Sequence, residues 1–453
     1  MLSTSLAIAQ FIKDSKFDEE AAMTVLRNSL RESGGPLLED VDDKALLTFV
    51  YIGAGERVSL CCQLFFSEFG TEAPMSRVAE TSVWYISTIL ARRDIRVSYT
   101  FSVDAGQLQP TSEEWISVVR DPDSNLLLKL LKEDLRSSRS DPCNPYGFDV
   151  VTAPSGRVCL PVKRCSILTL PENQAPSWLG KSPQVGELKD HTFTSEAFGN
   201  DRNITIFVPP ECGAEGGPYP LIVITDGEFH LGAGFPEILS SLIVDQIIPK
   251  CIAVFVHNPT LNSRMHEMNC NRAMVDCYAD ELIPWVRDRY CISRRPEDVV
   301  IVGASYGALA SAWVATQRSD IFGNVLSMSG SYWWAREPSG DQISRMPEPC
   351  AGEPEWLTRN ISVHATCSIR WFISVGILEN QPFGAGVDLL SSNRHLRTVL
   401  RAKSYDFRYE EYPGGHDHAA WQINFGTGLK YLLAGGKAQN QEIWTSDWAS
   451  ARY

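Results

Sequence analysis

The stretch "DVVIVGASYGALAS", residues 298–311, passes from an apolar, β-branched segment into a run of small, helix-forming residues. Between the two parts, Gly303 and Gly307 flank Ser305 in a G-x-S-x-G pattern. This pattern is typical of a nucleophile elbow, a sharp strand-to-helix turn that presents a serine hydroxyl at the edge of a sheet. Glycine suits such a turn because a Cβ there would collide with the neighbouring backbone. The alternative is an ordinary βα connection that happens to contain glycine and serine.

From about residue 183 the chain alternates strand-like and helix-like segments. The strand-like segments are "NITIFVPP", "YPLIVITDGEF", "CIAVFVHN", "DVVIVGAS", "NVLSMSG", "IRWFISVG" and "DFRYEEYPGG". Continuous apolar runs are typical of parallel strands buried on both faces, and their alternation with helices indicates βαβ units. The sequence therefore predicts an α/β domain over residues 183–453, with a mostly parallel sheet and Ser305 on a strand-to-helix turn.

The first part of the chain has a different pattern. After an initial helix, the segments "ALLTFVYIGA", "ERVSLCCQLFF", "SVWYISTIL" and "IRVSYTFSV" are short, rich in β-branched and aromatic residues, and separated by turn residues. This pattern predicts a β-sandwich-like domain over residues 1–148. The turn-rich stretch "SSRSDPCNPYGF" at 137–148 indicates its boundary, and we expect residues 149–182 to form a linker that packs on the second domain.

Composition excludes several classes of protein. The formal net charge of -14 argues against a general binder of nucleic acid or of anionic membranes. The first twenty residues lack the positive region of a signal peptide, and no apolar run approaches the roughly 20 residues that span a bilayer. The 12 cysteines include no C-x-x-C pair, and "HEMNC" is not an H-E-x-x-H zinc motif. We expect a cytoplasmic protein with reduced thiols and no metal or other cofactor in its chemistry.

A serine needs a base within hydrogen-bond reach, and a carboxylate that orients this base, before it can attack an ester. In α/β-hydrolases the chain order is serine, then acid, then histidine, each after a strand. His416 follows the strand-like "DFRYEEY" and a Gly-Gly turn, so we prefer it as the base to His418, two residues on. Glu379 follows "IRWFISVG" directly, so we prefer it as the acid to the later Asp388.

An oxyanion hole needs two backbone N–H groups that point at the developing negative charge. One is expected from Tyr306, the residue after the nucleophile. The other is expected from Glu228, because "TDGEF" turns sharply after the strand-like "PLIVI". A turn without catalytic meaning is the alternative.

The motifs "TDGEFH", "SRMHEMNCN", "DELIPWV", "VGASYGALAS", "FGNVLSMSGSYWW" and "GGHDHAAW", in this order and spacing, resemble the enterochelin (enterobactin) esterases. These are cytoplasmic enzymes of the esterase D branch with a β-sandwich before an α/β-hydrolase domain. The resemblance implies a serine esterase that cleaves the ester bonds of a cyclic trilactone catecholate siderophore, as its ferric complex, so that iron enters only with the substrate. It supports Ser305 as nucleophile and His416 as base. Two residues depart from the family pattern: Tyr306 stands where phenylalanine is expected, and Ala308 where glycine is expected.

The same resemblance places Arg264 and Glu267 near the substrate. A ferric tris-catecholate is a bulky anion with flat rings, which calls for cations and aromatic faces. Aromatic candidates that could supply such faces, or else belong to the core, are Tyr332, Trp333, Trp334 and Trp421. Two other functions stay open. One is an esterase or acyltransferase of the same superfamily that acts on another acyl ester, and the other is a binding module without activity.

Overall fold

The computed structural model describes residues 5–41, 44–65, 72–105, 134, 136–151, 154–155, 158–159, 162–180, 185–213, 216–336, 354–380, 388–434 and 441–443. Its α-helices are Leu6–Asp14, Glu19–Ser33, Gly227–Gly232, Phe235–Val244, Leu261–Glu267, Arg272–Asp276, Ile283–Arg287, Tyr306–Gln317, Trp356–Val363, Leu389–Ala402 and His418–Leu433. A π-helical segment spans Cys277–Leu282, and short 3₁₀ turns span Gln63–Phe65, Pro296–Asp298 and Ile377–Asn380. None of the helices in these ranges has the length and apolarity to cross a lipid bilayer.

The N-terminal part is a two-sheet sandwich, as predicted. Its strands are β1 (Leu37–Val41), β2 (Lys44–Ile52), β3 (Val58–Cys62), β4 (Ala73–Pro74), β5 (Ser76–Arg77), β6 (Val83–Leu90), β7 (Arg96–Val103), β8 (Ser138–Arg139), β9 (Gly147–Val151), β10 (Pro154–Ser155), β11 (Val158–Cys159) and β12 (Val162–Thr169). One sheet has the order β1-β2-β6-β5, and the other has the order β4-β3-β7-β12-β9 with β8 beside β7; β10 and β11 form a separate two-stranded sheet. Side chains from both sheets pack between them, for example Phe49 against Tyr99 with ring centroids 4.9 Å apart.

The sandwich extends past the predicted boundary at residue 148. Strand β12 pairs antiparallel with β7 and with β9, so part of the predicted linker 149–182, up to Thr169, completes a sandwich sheet. The remainder does pack on the other domain, where Trp178 is buried against Gly426. Sequence composition marked the turn-rich stretch but not strands β9 and β12, which belong to this sheet.

The second part is an α/β domain built on one large sheet. Its strands are β13 (Glu187–Ser195), β14 (Asn200–Val208), β15 (Leu221–Ile224), β16 (Ile252–Val256), β17 (Val299–Ala304), β18 (Asn324–Met328), β19 (Arg370–Gly376), β20 (Asp406–Tyr412) and β21 (Gln441–Ile443). Their order is β13-β14-β16-β15-β17-β18-β19-β20-β21, and all neighbouring pairs from β16 to β21 are parallel. Strands β15, β16 and β17 are buried along their whole length, as continuous apolar runs predict.

The parallel order brings the carboxyl ends of β17, β18, β19 and β20 to one edge of the sheet. In register, Ala304 lies beside Met328, Met328 beside Ser374, and Gly376 beside Tyr412. In open α/β sheets, ligands bind at this edge. The segments that follow these four strands therefore form the candidate site.

Candidate active site

Ser305 lies at the sharp turn between β17 and the helix Tyr306–Gln317. Its backbone has φ 56° and ψ -123°, a strained conformation for a residue with a Cβ. A Cβ at Gly303 would collide with the backbone of Gly307, and a Cβ at Gly307 would lie 2.5 Å from Oγ1 of Thr225. Both glycines are therefore required sterically, and the turn has the geometry of a nucleophile elbow.

His416 and Glu379 form a buried pair at the same edge. Nδ1 of His416 lies 2.7 Å from Oε2 of Glu379, and the carboxylate is fully buried. The other oxygen, Oε1, accepts hydrogen bonds from the Gly376 N–H at 2.7 Å, Ser329 Oγ at 2.6 Å and the Tyr412 hydroxyl at 3.0 Å. A carboxylate at Nδ1 favours the tautomer with the proton on that nitrogen, so that Nε2 is the proton acceptor.

The other acid and base candidates have structural roles. Asp388 caps the helix Leu389–Ala402, and its carboxylate accepts a hydrogen bond from Ser391 Oγ at 2.8 Å. His418 is buried at the start of the helix His418–Leu433, where burial lowers its pKa well below 6.5. The ring of His418 contacts that of Trp421, with centroids 4.9 Å apart. Of the two histidines, only His416 has a carboxylate partner among the hydrogen bonds described for these residues.

Ser329, which sequence analysis missed, links the acid to the end of β18, the strand beside the elbow strand. Ser329 directly follows β18 and has φ 51°, and its N–H donates to the Ser374 carbonyl at 2.7 Å. Its Oγ donates to Glu379 and accepts a hydrogen bond from Trp421 Nε1 at 2.9 Å. The ring of Trp421 lies 5.0 Å from that of His416, edge to face. The only sequence signal for Ser329 is its position near the end of the predicted strand-like segment "NVLSMSG".

The turn predicted to supply the second oxyanion donor packs against the elbow. Asp226 adopts a left-handed conformation with φ 56°, and Glu228 lies in the first turn of the short helix that follows. Asn258 Nδ2 donates to Asp226 and to Glu228, each at 2.7 Å. Burial, together with the nearby Asp226, raises the pKa of Glu228 from 4.5 to about 8. A Cβ at Gly307 would lie 2.9 Å from Oδ2 of Asp226, so the segments that carry the Glu228 and Tyr306 amides are close together.

In this structure Arg264 and Glu267, which were predicted to lie near the substrate, are each engaged in an ion pair within the protein. Arg264 forms a bidentate ion pair with Asp226, with Nε–Oδ1 and Nη2–Oδ2 distances of 2.7 and 2.8 Å. Glu267 forms a buried ion pair with Arg202, with N–O distances of 3.0 Å. The two residues thus take separate partners, although they lie only three positions apart in the chain. Both residues satisfy buried partners from distant parts of the chain, which spacing alone does not reveal.

The aromatic candidates belong to the core. Tyr332, Trp333, Trp334 and Trp421 are 0%, 4%, 4% and 7% exposed, so none presents an open face to a substrate. The Tyr332 hydroxyl lies 2.7 Å from Ser327 Oγ, and Trp334 packs edge to face on Trp356. Trp333 lies nearest to the elbow, because its ring contacts that of Tyr306 with centroids 5.7 Å apart.

Comparison with known proteins identifies the family. The family described as putative esterases matches residues 195–432, which include Ser305, Glu379 and His416. The chain belongs to this esterase family. It is a carboxylic ester hydrolase, and the alternative of a binding module without activity is wrong.

This esterase resembles enterobactin esterases over most of its length, as its motifs predicted. It is 28% identical over 360 residues to the iron(III) enterobactin esterase of Escherichia coli K12, covering 78% of this chain and 80% of that protein. Among solved structures, it superposes on the ferric enterobactin esterase of Salmonella typhimurium with a TM-score of 0.69 at 23% identity, over 89% of this chain and 97% of that one. The enterobactin esterase of Shigella flexneri, solved in the presence of enterobactin, gives 0.67 at 24% identity, over 89% and 96%. These structures share the fold.

Proposed function

We propose that this esterase uses Ser305, His416 and Glu379 as a catalytic triad. The observation that carries the proposal is the buried Glu379–His416 pair at the same sheet edge as a strained serine elbow. Nε2 of His416 removes the Ser305 proton while Oγ attacks the ester carbonyl carbon. The Tyr306 and Glu228 amides stabilise the resulting oxyanion. The C–O bond to the leaving alcohol then breaks, the alcohol takes the proton from His416, and water releases the acyl group in the same way.

We propose a cyclic trilactone catecholate siderophore as the substrate, cleaved in the cytoplasm as its ferric complex. Support comes from the enterobactin esterases that this chain resembles over four fifths of their length, and from the motifs "SGSYWW" and "GGHDHAAW". Iron would enter only as part of the substrate, since the proposed chemistry uses a serine, a histidine and backbone amides.

One observation favours another acyl ester as the alternative substrate. The charge of Arg264 is already balanced by Asp226, and all four aromatic candidates are buried. The cation and the aromatic side chains that were predicted to bind a ferric catecholate thus already have partners within the protein. An esterase or acyltransferase that handles a neutral acyl ester needs neither.

A product assay distinguishes these substrates. The protein is incubated with iron-free and iron-loaded cyclic tricatecholate trilactone, and the linear trimer, dimer and monomer are resolved by chromatography and mass spectrometry. The proposal predicts linear products with wild type and none above background with Ser305→Ala. Turnover of p-nitrophenyl butyrate with no cleavage of either trilactone would support the alternative.

A further inference from the structure

The N-terminal sandwich contacts the loop that carries the proposed base. We define the histidine loop as residues 413–417. The backbone N–H of His416 donates a hydrogen bond to Oε1 of Gln63, which lies in the 3₁₀ turn after β3. A side chain at Gly415 would collide with Gln63, so the two segments are in direct contact. Gln63 is half-buried and lies in the other domain, 353 residues before His416 in the sequence.

Strand β7 forms hydrogen bonds at both ends of the histidine loop and just beyond it. The Arg96 N–H donates to the Pro413 carbonyl at 3.0 Å, and its Nε donates to the Ala419 carbonyl at 2.9 Å. The Ser98 N–H donates to Oδ2 of Asp417 at 2.9 Å. Arg96 is buried, and burial lowers its pKa to about 10. Sandwich residues therefore bind the histidine loop on both sides of His416.

The acid also rests on the sandwich. Ile377 and Leu378, directly before Glu379, are buried in the apolar cluster between the two sandwich sheets. The Leu378 N–H donates to the Gly414 carbonyl at 3.1 Å, which ties the acid segment to the histidine loop. Acid and base are thus anchored to the same neighbouring domain.

We propose that the N-terminal sandwich positions the catalytic base, and that Gln63 is a positioning residue that fixes His416 through its backbone N–H. The inference rests on the proposed serine mechanism. Two glycines precede His416, and glycine restricts the backbone less than any other residue, so the loop depends on external contacts for its conformation. A small displacement of a base reduces proton transfer strongly, because the rate depends on hydrogen-bond geometry.

Full-length variants of Gln63 test this role. Gln63→Met keeps the length of the side chain but removes the acceptor, whereas Gln63→Glu keeps both the length and an acceptor oxygen. The control is Thr48→Val, which removes a side-chain hydrogen bond (2.8 Å) to Ser87 on the neighbouring strand of the sheet β1-β2-β6-β5, which does not carry Gln63. For each variant we would measure kcat and KM for p-nitrophenyl butyrate from pH 5 to 9, the melting temperature, and the rate of Ser305 labelling by a fluorophosphonate.

The proposal predicts that Gln63→Met lowers kcat and the labelling rate by about tenfold or more, with KM nearly unchanged. Gln63→Glu should keep kcat near wild type but move the acid limb of the profile to higher pH, since a carboxylate beside His416 favours the imidazolium. Thr48→Val should keep both rates. Gln63→Ala replaces Gln63→Met if the latter does not fold.

Two results would overturn the inference. One is wild-type kcat and labelling in Gln63→Met, and the other is an equal loss in Thr48→Val, which would indicate a general effect of sandwich stability. Failure of wild type to be labelled at Ser305 would instead contradict the proposed mechanism. The two failures are therefore distinguishable.

Discussion

Replacing Glu379 by glutamine isolates the contribution of the acid to catalysis. The side chain keeps its shape, but one of its two oxygens becomes an NH₂ group. If the remaining oxygen faces His416, the NH₂ group meets the Gly376 N–H, which is also a donor. If the NH₂ group faces His416, Nδ1 must become an acceptor, and Nε2 then carries the proton and cannot act as a base. Either arrangement disturbs the site.

The expected loss follows from the bond that is removed. A hydrogen bond to a charged group contributes about 1.5–3 kcal/mol, which corresponds to a roughly 10- to 150-fold lower rate. A reversed tautomer increases the loss toward about 10⁴-fold. We therefore expect Glu379→Gln to lower kcat for p-nitrophenyl butyrate by about 10²–10⁴, with circular dichroism unchanged.

Asp388→Asn is the matched control. Its carboxylate caps a helix, and asparagine caps helices about as well as aspartate, so activity should stay near that of wild type. Equal and mild effects of both substitutions on kcat would refute the triad and favour a Ser305–His416 dyad.

Three further predictions follow from particular contacts. His416→Ala should lower kcat by orders of magnitude. His418→Ala should mainly lower the free energy of unfolding, because it leaves a cavity. A strong loss of kcat only in His418→Ala would assign the role of base to His418 instead. Arg264→Ala leaves Asp226 buried without its partner, so hydrolysis of a neutral ester and of the ferric trilactone should fall together, and a loss confined to the ferric substrate would show that Arg264 binds the anion. Burial, and then the charge of Arg264, lowers the pKa of His230 from 6.5 to about 3 in the folded protein. The unfolded chain therefore takes up a proton at higher pH than the folded protein does. The free energy of unfolding is unaffected by this group above pH 6.5 and declines by about 1.4 kcal/mol per pH unit below it. Urea unfolding at pH 7 and 5 should show a smaller decline for His230→Phe, and an equal decline would contradict this assignment.

Local sequence patterns predicted the elbow and the strands around it. The contact between Gly303 and Gly307 lies within the five residues of the G-x-S-x-G turn, so this part of the signal is local, whereas the contact of Gly307 with Thr225 is not. The buried parallel strands are continuous apolar runs, and the strand ends locate Glu379 and His416. Strand β13 was missed because it lies at the edge of the sheet and is mostly polar and exposed, which gives no apolar run.

Contacts between distant segments could not be predicted in this way. The partners of Arg264 and Glu267 come from other loops and strands, and charge spacing within one loop indicated neither Asp226 nor Arg202. Strand β12 pairs with a strand more than sixty residues earlier, so composition alone put it in a linker. The hydrogen bond from His416 to Gln63 joins two domains, and no sequence pattern around either residue indicates the other as its partner.

The most direct test of the proposed mechanism is to locate the adduct of a fluorophosphonate probe by peptide mass spectrometry. The probe reacts with a serine that an adjacent base activates, and it requires no knowledge of the natural substrate. The mechanism predicts a single adduct on the peptide that contains Ser305, formed much more slowly in His416→Ala and absent in Ser305→Ala. An unlabelled wild type that still hydrolyses esters, or an adduct on another residue, would contradict it.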